Sequence, residues 1–224
     1  MEDDLPDSAP DGGPRVPCDD ACCQVDGGLL RGGSSEVAAA LATAGFVALW
    51  HGRSLTPEEL LPGNVDKAVD GAALLVAQGR AEMDEAGRVV GIHGLTLRIT
   101  RHRFDVAGRH RNTWCAFDAV GIPAALGLDA VAVTDCPTCG ARVTVEIGAG
   151  VPGGGDAVLW LPRPPAANLL AEFCSSADLF CNVDHLHDRI DAGRVPGRVC
   201  DLEAAAALGR TAWADVAEVV DTSS

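Results

Sequence analysis

The apolar side chains change their spacing near residue 82, and that switch limits what the chain can fold into. Between residues 35 and 82 they recur at helical spacing. "SSEVAAALATAGFVALW" opens on a serine cap with Glu36 in the first turn. "SLTPEELL" offers Thr56 as cap, Pro57 at the first helical position and two glutamates behind it. "NVDKAVDGAALLVAQGRAEM" starts a third helix with Asn64 as its cap. From Met83 onward, "MDEAGRVVGIHGLTLRITRHRFDVAGR" reads as short strands broken by turns at "EAG" and "VAG". Three helices and a hairpin make a winged-helix-like outline.

The second half mixes both periods. "DAVAVTDCPTCGARVTVEI" (129–147) alternates as a hairpin turning at "CPTCG", and "AVLWLP" (157–162) is a further strand. "AANLLAEF" (166–173) is a short helix or strand, and 183–191 and 201–220 are predicted helices, the latter capped by Asp201. The expected fold class is α+β: an N-terminal helical, winged-helix-like part followed by a mixed α/β part with a small sheet. The boundaries fall at 1–30 for an acidic tail too poor in apolar residues to build a core, 31–110 for the helical domain and 111–224 for the second domain.

The net charge of −15 is uneven. Residues 1–30 carry eight acidic side chains and one arginine, 31–112 are close to neutral, and 113–224 carry fifteen acidic side chains against six basic. Such a chain is a poor nucleic-acid binder, because neutralising phosphates needs a cationic face. The only basic cluster is Arg98, Arg101, Arg103, Arg109 and Arg111. No apolar run is long enough to span a membrane, and the acidic start does not resemble a signal peptide, so a cytoplasmic protein is expected. Nine cysteines, an odd number without a secretory signal, point to thiol chemistry or metal binding rather than to structural disulfides.

"TWCAFDAVG" (113–121) carries the densest chemistry. With Asn112 or Thr113 as cap, Cys115 lies in the first turn of a helix that Pro123 disturbs. Free N–H groups and the helix dipole there favour a thiolate. Asp118, three residues on, shares its face, and Trp114 and Phe117 make the surroundings apolar, which raises a carboxyl pKa. A second thiol beside Cys115 would complete a soft-metal site, and Cys174 and Cys181, each preceded by phenylalanine, are the candidates. Cys136 and Cys139 of "CPTCG" have zinc-knuckle spacing, but no second CxxC completes four ligands, so structural zinc is disfavoured. "DHLHD" (184–188) reads as a solvated helix start, because His185 and His187 are two apart and point to different sides. "GAGVPG" (148–153) matches GxGxxG but leads into no helix and is read as a loop.

The stretch "GLTLRITRHRFDVAGRHRNTWCAFDAVGIPAALG" resembles the centre of the bacterial organomercurial (alkylmercury) lyases. The family pattern of an aromatic residue, a catalytic Cys, two residues and a catalytic Asp falls on Trp114, Cys115 and Asp118. Its second catalytic Cys, usually in Phe-Cys after a "LP" strand end, falls on Cys174 in "LPRPPAANLLAEFC", which leaves Cys181 the weaker match. A structural Cys of the family's hairpin matches Cys136. Residues 35–220 share the likeness in outline.

The chain departs from the pattern at Cys139, at Ser175, in the polar "DHLHD" and in the "CDDACC" tail. The resemblance implies cleavage of R–Hg⁺ to RH and Hg²⁺ in mercury detoxification. Cys115 and Cys174 would hold the metal, Asp118 would relay the proton, and Trp114 and Phe117 would contact the organic group. It implies no required cofactor, with Hg²⁺ bound as product and accepted by cellular thiols or a mercuric reductase. Cys18, Cys22 and Cys23 are candidates for that hand-off. The alternatives are a non-catalytic thiol metal-binding protein or metal-responsive regulator of the same fold, or a related lyase with a non-mercury substrate.

Overall fold

A computed structural model describes residues 35–162, 167–191 and 197–220. The proposed tail, with Cys18, Cys22 and Cys23, lies outside the described residues. The first helices begin where polar side chains satisfy free backbone N–H groups. In α1 (Glu36–Trp50) the Ser35 hydroxyl accepts from the Ala38 N–H at 3.3 Å. In α2 (Pro57–Leu60) Thr56 and Glu59 cap each other reciprocally, with the Thr56 N–H donating to the Glu59 carboxylate at 2.7 Å. Helix α3 (Val65–Ala77) starts after Asn64, but the Asn64 side chain makes no capping bond.

Short strands follow: β1 (Ala81–Met83), β2 (Val89–Ile92), β3 (Leu95–Thr96), β4 (His102–Val106) and β5 (Arg109–Thr113). The "VAG" turn joins β4 to β5 through a two-residue loop, Val106 pairing with Arg109. Ala107 and Gly108 there have φ of +48° and +75°, the left-handed pair that matches the twist of a tight hairpin. Helix α4 (Ala116–Ala125) comes next. Strands β6 (Ala130–Asp135), β7 (Arg142–Gly148) and β8 (Val151–Pro152) then return to the same sheet.

Among the described residues the largest sheet is eight-stranded and antiparallel, in the order β1-β2-β3-β5-β4-β6-β7-β8. It draws strands from both sides of residue 110, because β4 pairs with β5 on one edge and with β6 on the other. A second, three-stranded antiparallel sheet is centred on β9 (Val158–Pro162), flanked by β10 (Asp178–Phe180) and β11 (Gly197–Cys200). A single turn of π-helix, Leu170–Cys174, leads into β10. Helix α5 (Val183–Asp191) follows it, and α6 (Leu202–Ala212) and α7 (Ala214–Ala217) close the described chain. The fold is mixed α/β. No helix among the described residues is long and apolar enough to cross a membrane.

Helix α4 lies against α6, and two glycines make the approach feasible. A Cβ on Gly209 would stand 2.4 Å from the Gly121 Cα, and one on Gly121 would stand 2.6 Å from the Trp213 ring. The clash at Gly209 is with backbone, which cannot rotate away. Trp213 itself is anchored by its indole N–H, which donates to the His93 carbonyl at 2.8 Å. Gly209→Ala should therefore lower stability by about 1–3 kcal/mol or more through overpacking. Gly155→Ala, where an added Cβ meets nothing within 4 Å, should be close to neutral. Urea midpoints of the two variants check the difference.

Candidate active site

Helix α4 starts at Cys115 itself. Its backbone is extended there, with φ −147° and ψ 175°, so Cys115 is the capping residue rather than a first-turn residue. The expected caps, Asn112 and Thr113, belong to β5. The helix closes on itself reciprocally: the Cys115 N–H donates to the Asp118 carboxylate at 3.0 Å, while the Asp118 N–H faces the Cys115 sulfur. One exchange of hydrogen bonds thus fixes a thiol and a carboxyl together. Pro123 sits inside α4 without ending it.

The segment around Cys174 is brought in by backbone contact. The Ala116 N–H donates to the Ala177 carbonyl at 3.1 Å. Phe173 meets Phe117 edge to face at a ring separation of 6.1 Å, and Phe117 also packs on Trp213 at 5.4 Å. Phe117, expected to contact a substrate, is 2 % exposed and enclosed by these two rings. It ties the Cys174 turn to α4. The result is that Cys115 Sγ, a carboxylate oxygen of Asp118 and Cys174 Sγ all lie within 4.8 Å of one another. All three residues are buried, at 0, 3 and 5 % exposure. Cys181, the other candidate for the second thiol, is elsewhere, in a cluster with Cys136, Cys139 and His185.

Several residues that support the site were not singled out from the sequence. The Trp114 indole N–H donates to the Glu82 carboxylate, and Gly91 leaves the room for that pair. Gly94, at φ +85°, passes so close that a Cβ would stand 2.8 Å from the Asp118 carboxyl carbon. Its carbonyl accepts from the Trp114 N–H at 3.0 Å. The "HG" turn after a strand was the available signal for Gly94, while Glu82 and Arg80 carried none. The basic cluster is mostly engaged internally. Arg98 pairs with Glu82, Arg101 with Asp178 and Arg103 with Asp105, and Arg111 lies 5.0 Å above the Trp50 ring.

Burial sets the charge state. It pushes the Cys115 thiol well above its ordinary range, helped by the hydrogen bond with Cys174 and the charge of Asp118. A thiolate-favouring helix start was expected, but desolvation outweighs the pull of the Asp118 N–H. At Cys174 the hydrogen bond with Cys115 acts downward. Burial and the charges of Asp118 and Glu82 together outweigh it and the opposing charge of Arg80, so this thiol is raised too. Burial lifts Asp118 from 3.8 to about 7, against the downward pull of hydrogen bonds from Cys115 and Trp114. The resting site therefore holds two protonated thiols and a carboxyl that titrates near neutrality.

The comparisons fit this geometry. The family model for alkylmercury lyase (MerB) matches residues 95–214, more than half of the chain. The chain belongs to the alkylmercury lyase family. It is 34 % identical over 152 residues to the alkylmercury lyase of Streptomyces lividans, covering 65 % of this chain and 66 % of that one. With the alkylmercury lyase of Pseudomonas putida it shares 40 % identity over 76 residues, covering 34 % of this chain and 35 % of the relative. The Bacillus cereus enzyme is 28 % identical over 163 residues, covering 71 % of this chain and 74 % of its own. The chain thus spans about two thirds of the first of these relatives and about one third of the second. The fold matches the crystal structure of the mercury-bound form of MerB2 with a TM-score of 0.73 at 21 % identity, over 82 % of this chain and 92 % of that one.

The raised Asp118 has a measurable consequence. Its folded pKa of about 7 exceeds the ordinary 3.8, so the folded state holds this proton more tightly than the unfolded state. Its contribution to stability is fully present below pH 4 and is lost as pH rises to about 7. Asp118→Asn keeps an oxygen for the Cys115 N–H and removes the titration. The variant should gain stability relative to the parent progressively between pH 4 and 7, with a constant difference above pH 8. Urea titrations across that range test this, and a difference that does not change with pH would show that Asp118 does not titrate as described.

Proposed function

We propose that the chain is an organomercurial lyase that cleaves the carbon–mercury bond of R–Hg⁺ by protonolysis, using Cys115, Cys174 and Asp118. The observation that carries this reading is the buried meeting of two thiols and one carboxyl within 4.8 Å. Thiolates are the ligands of choice for soft metal ions, and a carboxyl beside them can move a proton without leaving the site.

R–Hg⁺ binds Cys115, whose thiol proton leaves as the Hg–S bond forms. Cys174 then binds the same metal and its proton passes to Asp118. The two thiolates enrich mercury with electron density and weaken its bond to carbon. Asp118 delivers the proton to carbon, the pair of the broken C–Hg bond becomes the C–H bond, and RH departs. Hg²⁺ remains on two thiolates. One substrate cation and two thiols give RH, the dithiolate complex and one released proton. A carboxyl with a pKa of about 7 suits both halves of this relay, since it accepts and gives a proton with little bias near neutral pH.

Trp114, 8 % exposed and held by Glu82, is the residue we assign to packing the organic group. The winged-helix-like part expected over 31–110 serves the catalytic part, supplying Glu82 against Trp114 and Gly94 beside Asp118; the internal pairing of the arginines favours this over DNA reading. The product passes to cellular thiols or a mercuric reductase in the reducing cytoplasm.

A single-turnover incubation with an arylmercury salt and excess thiol, following the free arene, tests the reading. The parent protein should release arene. Asp118→Ala should still bind mercury but release arene roughly 100- to 10,000-fold more slowly, the range over which a positioned acid acts. Cys115→Ser and Cys174→Ser should lose both. Tight mercury binding by the parent without any arene would instead identify a thiol metal-binding relative.

A further inference from the structure

No second CxxC faces "CPTCG", but a cysteine and a histidine from elsewhere in the chain do. The "CPTCG" turn, between β6 and β7, meets the end of β10 and the first turn of α5. There Cys136, Cys139, Cys181 and His185 bring three sulfurs and one ring nitrogen within 4.8 Å of one another. His185 is therefore not part of a freely solvated helix start. We propose that these four residues form a closed tetrahedral zinc site, separate from the mercury chemistry, that locks the β6–β7 turn onto the segment carrying Cys174.

The donor set is one that zinc takes in structural sites: three cysteines and a histidine, with no position left for water. The distances suit it. With Zn–S of about 2.3 Å and Zn–N of about 2.0 Å, the edges of a tetrahedron are roughly 3.5–3.8 Å. Cys139 Sγ to Cys181 Sγ is 3.8 Å, and Cys136 Sγ to His185 Nδ1 is 3.8 Å. Cys181 Sγ to His185 Nδ1 is 2.8 Å, a direct contact that the ion would open.

The loop also has the form that a knuckle needs. Gly140 at φ +71° turns the chain after Cys139, and its N–H donates to the Cys136 carbonyl at 2.8 Å. The other half is equally fixed. Asn182 accepts from the His185 N–H at 2.9 Å, and the Thr138 hydroxyl donates to the His185 carbonyl at 2.7 Å across the junction. His187, which the cluster does not include, stays with the helix. A disulfide would require only the Cys139 and Cys181 sulfurs and would leave Cys136 and His185 converging for no purpose.

The test uses the full chain, purified reduced from zinc-supplemented cells. Metal analysis should find about one zinc per chain in the parent and in Cys115→Ser and Cys174→Ser. Cobalt added to the stripped protein should give thiolate charge-transfer and tetrahedral d–d absorption. Cys139→Ser, at an exposed position where folding is least at risk, should weaken cobalt binding by about ten-fold or more, and Cys181→Ser and His185→Ala should do the same. Substoichiometric zinc with no cobalt–thiolate absorption would overturn the proposal. So would absorption that survives Cys139→Ser but vanishes in Cys115→Ser, or a Cys139–Cys181 disulfide found by non-reducing peptide mapping.

Discussion

The hydrogen bond from the Cys115 N–H to the Asp118 carboxylate closes the first turn of α4, and the site is arranged around it. A helix start leaves N–H groups that must find acceptors, and here the acceptor is also the carboxyl to which we assign the proton relay. The thiol is fixed by the same exchange, because the capping residue holds its side chain over the third helical residue. Neighbouring elements then fit around that turn. Gly94 passes the carboxyl where no side chain would fit, and the Ala177 carbonyl takes the next free N–H, from Ala116. That last bond sets the approach of the Cys174 segment, and the contact of Phe173 with Phe117 holds it there.

Burial gives the arrangement its chemical character. Three ionisable groups within 4.8 Å of one another would repel as anions, and in an apolar pocket the two thiols gain too little from water to stay charged. Both thiols are therefore neutral at rest, while the carboxyl changes charge near pH 7. A soft cation reverses this balance. It replaces the thiol protons and cancels the charge that made ionisation costly, so the thiols need not be acidic in advance. The proton displaced from one thiol is already beside the carboxyl that can use it. A more exposed pair would ionise more readily, but it would lose the proximity of the displaced proton to the carbon that receives it.

Much of this was legible in the residues, and the failures have physical reasons. Ser35, Thr56 with Glu59, and Asp201 announced helix starts, since capping is local chemistry. The spacing of Cys115 and Asp118 placed them on one face because a helical turn is also local. Strand partnership is not local: periodicity shows that β4 and β6 are strands but not that they pair in one sheet. Burial is not local either, and the start of α4 was taken for a thiolate-stabilising position because nothing in "TWCAFD" says that the thiol is fully enclosed. The same limit hid the partners of "CPTCG". Cys139 and Cys181 are 42 residues apart and follow strands of different sheets, and the packing of β10 against β6 carries them to one place.

The two thiol clusters are joined by one short stretch, and its construction bears on both. From Cys174 the chain makes a tight turn, bonds to α4 at Ala177, forms β10 against β9 and arrives at Cys181. Strand β10 is only three residues long, all of them buried, and its first residue, Asp178, is paired with Arg101 just before β4. So short a strand has few ladder bonds of its own, and a two-sided anchor compensates for that. At one end α4 holds it through Ala116, and at the other the Cys136–Cys139 turn and His185 meet it. Freedom at the Cys181 end would pass through β10 to Ala177 and loosen the placement of Cys174, because no side chain of that strand is free to absorb the shift. Binding two thiols to one metal ion tolerates little such looseness, since metal–sulfur bonds are short and their geometry is directional. On the proposed zinc site and lyase reading, the distant cluster would bear on the chemistry by fixing where the second thiol stands.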